Sequence, residues 1–486
     1  MSKGSKQAPV LEGTAKKTRA PLHGIPVYRV RGSYGSAQTT NNNRRHWTAT
    51  DSLSADAANS ADVRKILRER ARYEVSNNSY AKGMVLTLAN DVIGTGPRLQ
   101  MSSGDPALDR KVEALWQLWA DEINLAEKLR AMRMARTTDG EAFAIIATNP
   151  RLMHSIKVDI QDIESEQVAN PYAHYDDNDL DGIVLDEWGN PASYRVLTHH
   201  PGSARYYGKD DHTIVFASNM LHVYRKDRPG QHRGVCEITP ALHLFAQLRR
   251  YSLATLDAAE TAANFAGLLI TDAPANTSDP ENSEVSTMDT FELERNSLLT
   301  MPPGYKMQQM EAKHPATTYD MFERKMITQI ARCLNIPYNI AAGDSSSYNY
   351  ASGRLDHQTY YKSIRVEQAQ WAASILNKLF RHWITEFALL TGNMAIRSSI
   401  PDHSWMFDGF EHVDPVKEAN AQTIRLENNT TTLAAECAKQ GLDWEVVLEQ
   451  KAKELKKMQA LGLTPVAAPS EPVPTEEPEE SDKEDY

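Results

Sequence analysis

The chain has 486 residues, of which 41% are hydrophobic and 24% charged, and its formal net charge is −11. This composition predicts a globular protein with roughly two to four domains, or one elongated subunit with several parts. Apolar runs such as residues 265–270 are far shorter than the roughly 18 residues of a membrane span, and residues 1–20 are too polar for a secretion signal. We therefore expect a soluble protein that is not secreted by this route.

The charge is placed unevenly along the chain. Residues 1–46 hold nine Lys or Arg and one Glu, a net charge of +8, whereas residues 466–486 hold eight acidic residues and one Lys, a net charge of −7. The basic arm can contact nucleic acid or an acidic partner, and the acidic, proline-rich tail has the composition of a disordered segment. Two solvated termini without a partner are the alternative interpretation.

Three helices are predicted before residue 121. The first covers 52–72; the second begins at Asn78, a favourable N-cap, and ends at Gly94; the third covers 105–120. Trp116 and Trp119 lie on the apolar side of the third helix, so we expect them in the core.

Residues 141–226 change to the alternation of apolar and polar residues that is typical of strands. Segments 182–186 and 193–197 flank a short Gly-Asn-Pro-containing loop and predict a hairpin. His199 and His200 follow, but adjacent side chains of a strand point in opposite directions, so we do not expect them to bind a metal together.

Thr239 and Pro240 begin the longest predicted helix, which extends to about Ile270. The segment 271–316 follows and contains a strand-like stretch at 297–301. A helix is then predicted over 322–337. We expect these two helices to run antiparallel, with a small mixed subdomain at their far end.

A polar loop, Gly343–Arg354, separates this helix from another over 355–387. Beyond Pro401, helix signals occur at Asp414-Pro415, at Gly441 and between Asp443 and Gly462. Cysteines 236, 333 and 437 are too far apart for a zinc-type pair, which predicts buried reduced thiols and assembly in a reducing cytoplasm.

The polar loop permits three interpretations. Asp344 and Ser345 could belong to a hydrolase, with one of the 15 histidines as base, but the Gly-x-Ser-x-Gly elbow is incomplete. Asp344 or a nearby serine could instead cap the following helix in an ordinary solvated loop. A channel or partner loop is the third possibility. Phosphate loops, zincin helices and dinucleotide fingerprints are missing from the sequence, so we expect no enzyme chemistry, no cofactor and no metal.

Several segments, taken in order, resemble the lambda-type family of tailed-phage portal proteins. They are 76–81, 90–96, 181–183, 228–235, 334–337, 343–346, 349–354 and 414–419. Their order is more specific than any single segment. Ala351 stands where the family pattern has a Ser.

The resemblance implies an α+β portal fold with a strand-rich wing, long stem helices, a small mixed clip and a helical crown. The implied parts are a basic arm (1–47), the wing (48–238), a first stem helix (239–270), the clip (271–316), a second stem helix (317–337), a tunnel loop (338–354), a wing or crown helix (355–400), the crown (401–465) and a disordered acidic tail (466–486).

The resemblance also implies a ring of about twelve copies in the virion, at one capsid vertex, assembled in the host cytoplasm. Double-stranded DNA would pass through the ring during packaging and ejection, and the implied protein partners are the terminase large subunit, the major capsid protein and a head-tail connector. The residues expected to face DNA are Asp344, Ser345, Ser346, Ser347, Tyr348, Asn349 and Tyr350. A head-tail adaptor ring and a hydrolase are the alternatives.

Overall fold

The computed structural model describes residues 45, 49–170, 179–204, 211–264, 268–271, 305–308, 318–346, 348–410 and 415–463. Two units are distinguished, Met1–Leu53 and Ser54–Tyr486, and the elements below belong to the second. It mixes helices and small antiparallel sheets, which confirms the α+β class.

The helices occupy most of the second unit. In chain order they are α1 (Ala55–Ala58), α2 (Ala61–Asn77), α3 (Ser79–Val92), α4 (Pro106–Glu122), α5 (Leu125–Asp139), α6 (Leu242–Asn264), α7 (Thr318–Arg332), α8 (Tyr338–Ala342), α9 (Tyr350–Trp371), α10 (Asn377–Thr391), α11 (Met394–Ser398), α12 (Pro415–Glu427), α13 (Leu433–Lys439) and α14 (Trp444–Ala460). A π-helical turn, Ala372–Leu376, joins α9 to α10.

The strands are short. They are β1 (Arg98–Met101), β2 (Glu141–Thr148), β3 (Val158–Ile163), β4 (Asp179–Leu180), β5 (Ile183–Leu185), β6 (Pro191–Leu197), β7 (His212–Phe216), β8 (Met220–Tyr224), β9 (Leu268–Thr271), β10 (Tyr305–Gln308) and β11 (His403–Met406). They form antiparallel sheets in the orders β3-β2-β8, β4-β5-β6-β7, β1-β11 and β9-β10.

Local signals placed several elements correctly. The Asn78 side chain accepts the backbone N–H groups of Tyr80 and Ala81 at the start of α3, and the Asp105 side chain caps α4 in the same way. The predicted hairpin is confirmed as β5 and β6, and the three helices expected after Pro401 are α12, α13 and α14. Hence the polar caps and turn residues of this chain form the local structures that their positions in the sequence predict.

The tryptophan pair lies in the main core, as expected. Trp116 and Trp119 are 1% and 0% exposed, their ring centroids are 4.7 Å apart, and Trp383 of α10 packs edge-on against Trp116 at 5.5 Å. The Trp119 indole donates to the carbonyl of Val158 at 2.7 Å, so its polar atom is satisfied inside the core. A smaller core around Phe143 packs between the three- and four-stranded sheets.

Several elements differ from the prediction, and among them the helix expected over 322–337 is α7, which ends at Arg332. The helix expected over 52–72 is broken at Asn59, whose amide donates to the carbonyls of Arg233 and Gly234. Helix α5 was missed altogether, although Leu125, Leu129 and Met132 are buried along one side of it. The first helix is broken by a contact between residues that are far apart in sequence. Helix α5 has the spacing of an amphipathic helix, so its sequence contained the signal that the prediction lacked.

Two further differences concern the long helix and the loop. Helix α6 ends at Asn264, and Leu268–Thr271 is a strand paired with Tyr305–Gln308. The β-branched Ile270 and Thr271 favour this extended pairing once a partner strand is near. The interval 338–354 assigned to the loop contains α8 and the first turn of α9, which leaves 343–349 as the loop itself. The stretch 297–301 lies outside the described residues.

Candidate functional site

The polar loop 343–349 lies between α8 and α9, and α8 packs against α7 and α3. Gly343 ends α8 with φ of +66°, a left-handed conformation that glycine adopts without the penalty of a Cβ. The backbone N–H of Asp344 then donates to the carbonyl of Asn339 at 3.1 Å. The first residues of the loop are therefore fastened to the helix that precedes them.

Asp344 closes a tight turn at the start of the loop. Its Oδ1 accepts the backbone N–H of Ser346 at 2.9 Å. Hydrogen bonds from Ser346, aided by the charge of Arg324, lower the pKa of Asp344 below its usual range, so the carboxylate is ionised at neutral pH. Asp344, one of the caps that the sequence left open for the next helix, does not cap it, because it lies five residues before the N-cap position of α9.

Asn349 caps α9 instead. Its Oδ1 accepts the backbone N–H of Ser352 at 2.8 Å, while Ser352 Oγ accepts the backbone N–H of Asn349 at 3.2 Å. This reciprocal arrangement is a capping box. Tyr350 is the first residue of α9, and Ser347 lies outside the described residues. The loop is thus anchored at both ends.

Tyr348 is only partly exposed. A Cβ on Gly353 of α9 would lie 3.8 Å from Tyr348 Cδ1, so the ring packs beside α9. Burial, followed by the charge of Asp356, raises the pKa of the Tyr348 phenol. Its backbone N–H donates to the carbonyl of Ser345 at 3.1 Å. Ser345 and Ser346 are therefore the exposed hydroxyl residues of the described loop, and the sequence 343–349 contains no Lys or Arg.

The hydrolase interpretation finds no support in the described contacts. The hydrogen bonds of Asp344 involve Ser346, Asn339 and Tyr338, and no described contact joins it to a histidine. His357, which α9 places near the loop, bonds through Nε2 to the Asn339 amide at 2.9 Å. Sequence reasoning missed Asn339 and His357, whose pairing depends on two helices meeting.

Helix α9 is tied to the rest of the unit by buried polar groups. The Tyr360 hydroxyl donates to Asp91 Oδ2 of α3 at 2.6 Å, and the Gln368 amide donates to the carbonyl of Asp91 at 3.2 Å. Burial raises the pKa of Asp91, although the bond from Tyr360 opposes that effect. These bonds join α9, which follows the loop, to α3.

Glu237 is the centre of a buried ion network behind α9. It accepts from Arg133 and Arg136 of α5, each at 3.0 Å, and both arginines also pair with Glu367 of α9. Burial raises the pKa of Glu237, but the positive charges of Arg133 and Arg136 outweigh burial and lower it to about 2. The sequence carried no local signal for this network.

A second network holds the sheet region. Glu141, which is fully buried, accepts from Arg233 at 2.7 Å, from the backbone N–H of Gly234 at 2.9 Å and from Arg68 of α2. Burial raises the pKa of Glu141, yet Arg233 and its other partners hold it well below its usual range. Because its acceptors are satisfied, this charge connects α2, β2 and the 231–234 segment.

One group of possible metal ligands occurs among the described residues, namely Glu164, Glu166 and His200. Arg72 already pairs with Glu166 at 2.9 Å and with Glu164 at 3.4 Å. His200 Nδ1 accepts the backbone N–H of Gly202 at 3.0 Å, so in the neutral ring Nε2 carries the proton and has no lone pair for a metal. This geometry favours an ion-pair cluster over a metal site.

The expectation of buried thiols holds for two of the three cysteines. Cys236 and Cys437 are buried, Cys333 is partly buried, and all three are free. Burial raises the pKa of the Cys236 thiol to about 12, which keeps it protonated. Among the described helices, none combines the length and the apolar character that a membrane crossing requires.

Comparisons with known proteins agree with the sequence resemblance. The family model for phage portal proteins of the lambda family matches residues 40–368. A probable portal protein of Halomonas phage phiHAP-1 is 25% identical over 82% of this chain and 81% of its own, and portal protein B of Escherichia phage lambda is 20% identical over 90% and 91%. Both relatives are portal proteins by name, in agreement with the family model.

A solved structure with a similar chain is titled the neck of an empty GTA particle computed with C6 symmetry. It shares 12% identity, covers 77% of this chain and 93% of its own, and has a TM-score of 0.44. Because the family model covers more than half of its length, this chain belongs to the lambda family of phage portal proteins. It is a structural component of the virion, part of the ring at one capsid vertex through which DNA is packaged and ejected.

Proposed function

We propose that the loop 343–349 of this portal protein is the tunnel loop, which contacts DNA in the channel without gripping it. The observation that carries the proposal is the arrangement of the loop. It is anchored at both ends by Gly343 and Asn349, and between them it exposes the hydroxyls of Ser345 and Ser346. A loop without Lys or Arg forms no strong phosphate contacts, and the ionised Asp344 weakens them further.

The same proposal assigns the wider parts of the subunit. The sheet region up to residue 238 is the wing, α6 and α7 are the stem, and α12 to α14 form the crown. Tyr319 of α7 donates to Ser252 of α6 at 3.0 Å, which supports a packed stem pair. The interval 271–316, most of which lies outside the described residues, is the clip that meets the terminase large subunit and later the head-tail connector. The major capsid protein surrounds the ring.

Ring formation is tested by imaging. We expect the purified protein to form closed rings of about twelve copies in electron micrographs without added nucleotide. A stable monomer at micromolar concentration would contradict the assembly part of the proposal. Subunit number is read from class averages and from native mass spectrometry.

The tunnel-loop assignment is tested by adding charge rather than by deletion, because deleting 348–350 would also remove the cap of α9. The double variant S345K/S346K should form normal rings but hold DNA during translocation, because each added Lys can bind a phosphate. The matched control S345T/S346T keeps the hydroxyls. Packaging of DNA at wild-type rate by the lysine variant, at low as well as high salt, would remove the assignment.

A further inference from the structure

The C-terminal half of α14 carries a group of exposed lysines, Lys451, Lys453, Lys456 and Lys457. In the described part of the chain, no carboxylate lies within ion-pair distance of any of them. The nearest acidic neighbour in sequence, Glu454, accepts a hydrogen bond from Gln450 at 2.8 Å. At about 100° per residue, Lys453, Lys456 and Lys457 share one side of the helix and Lys451 lies on another. The positive surface therefore consists mainly of three lysines that form no ion pair among the described residues.

Helix α14 is exposed to solvent along its whole length. None of its residues is buried, and its described ion pair, Arg110 with Glu449 at 3.1 Å, lies in its acidic first half. The helix is thus held at one end, and its basic end remains open to solvent. Lysines near a helix C-terminus are favoured by the helix dipole, which explains their tolerance there. Glu454, three residues from both Lys451 and Lys457, offsets only part of the four positive charges.

The sequence that follows supplies the opposite charge. Residues 464–470 contain no charged residue, whereas 471–486 contain eight acidic residues and one Lys. The distance from the end of the helix at Ala460 back to Lys451 is about 14 Å at 1.5 Å per residue. Seven extended residues span up to about 24 Å, so the neutral stretch is long enough for residue 471 to lie beside Lys451.

We propose that the acidic tail 471–486 docks on the lysine cluster of α14 of its own or a neighbouring copy. Tethering gives the tail an effective concentration on the order of millimolar, so it occupies the cluster ahead of free anions. Docking of the tail would screen the positive charge of α14, because its carboxylates would occupy the lysines that otherwise bind DNA phosphates. The inference depends on α14 and the tail, and it is independent of the tunnel-loop assignment.

Contact is tested with a zero-length carbodiimide cross-linker on the full chain, followed by mass spectrometry. We expect links between the lysines of 451–457 and the carboxylates of 471–485. The pair Lys128–Asp159, whose charged atoms are 2.7 Å apart, is the internal positive control. Detection of the control link together with no tail-to-helix link would overturn the proposal. Mixed isotope-labelled copies distinguish links within a chain from links between chains.

The screening role is tested by DNA binding of the full chain at several salt concentrations. Changing the eight acidic residues of 471–486 to amides should raise affinity for a random-sequence duplex by roughly tenfold at low salt and steepen the salt dependence by about three to four ions. Adding K451Q, K453Q, K456Q and K457Q to that variant should return both values to wild type, while the basic arm stays unchanged in every variant.

Two results would contradict the screening role. Equal DNA affinity of wild type and the amide-tail variant would show that the tail shields nothing. A loss of DNA binding when the four lysines are changed in the otherwise wild-type chain would make DNA, rather than the tail, the occupant of the cluster. Ring formation and helix content, measured for each variant, exclude misfolding as the cause.

Discussion

Asn349 and Ser352 cap the first turn of α9 reciprocally, with side chain to backbone distances of 2.8 and 3.2 Å. The N349A variant loses an acceptor that satisfies a free helix N–H, which costs about 1 kcal/mol locally. We expect hydrogen exchange of residues 350–353 to accelerate severalfold, with little change in the melting temperature of the whole subunit. N349D, which retains a capping oxygen, should exchange like wild type; equal exchange in N349A would show that the cap does not hold the loop.

Tyr360 and Asp91 join α9 to α3. The Y360F variant removes the donor to a carboxylate whose pKa burial already raises, and this should destabilise the subunit by roughly 1–3 kcal/mol. Losing the bond raises the Asp91 pKa in the folded state further. A carboxyl with a raised folded pKa loses stability as pH rises through it, so Y360F should be affected more at pH 8 than at pH 5.

Tyr361 provides the matched control for that measurement. Its ring stacks on Phe410 with centroids 3.9 Å apart, so Y361F retains the packing and should be nearly neutral. Denaturation curves of both variants across pH 5–8 check the prediction, and identical pH dependence of Y360F and wild type would argue against it.

Glu237 should make the subunit acid-sensitive. Its folded pKa of about 2 lies below the ordinary value of 4.5, so its contribution is fully present above about pH 4.5 and is lost as pH falls toward about 2. The E237Q variant leaves Arg133 and Arg136 partly unpaired and should cost roughly 3–5 kcal/mol at neutral pH. Its stability should also depend less on pH between 4.5 and 2.

The control for E237Q is E449Q. Glu449 pairs with Arg110 on the surface, where such a pair contributes less than about 1 kcal/mol. Chemical denaturation at pH 7 and a series of thermal melts below pH 5 separate the two variants. Similar stability losses in both would show that the buried network is weaker than its geometry indicates.

Gly140 and Gly343 differ in what a side chain would meet. Both have positive φ, but a Cβ at Gly140 would come within 2.5 Å of the Val235 carbonyl carbon, whereas one at Gly343 meets nothing within 4 Å. G343A should therefore cost about 1–2 kcal/mol from backbone strain alone, and G140A considerably more, because backbone atoms cannot move aside cheaply. Soluble yield and melting temperature compare them, and equal losses would contradict the steric argument.

Much of the fold could be predicted because its signals are local. Asn78 and Asp105 cap helices by accepting backbone N–H groups two and three residues further along the chain. Strands β5 and β6 are joined by a short loop, so their pairing is also local in sequence. The loop itself was also visible as a polar interruption. Its capping residue was not identified correctly, since Asp344 and Asn349 are both plausible caps until the backbone places one of them at the helix start.

By itself, the sequence determined the helices that begin at strong caps, the polar character of the loop 343–349 and the opposite charges of the two termini, because propensity, hydrogen bonding and composition act over a few residues. Only the tertiary structure decided the pairing of Arg98–Met101 with His403–Met406, the ion network of Glu237, and the end of α6 at Asn264. Each of these depends on groups that approach across long stretches of chain, so their energies exist only after the chain has folded.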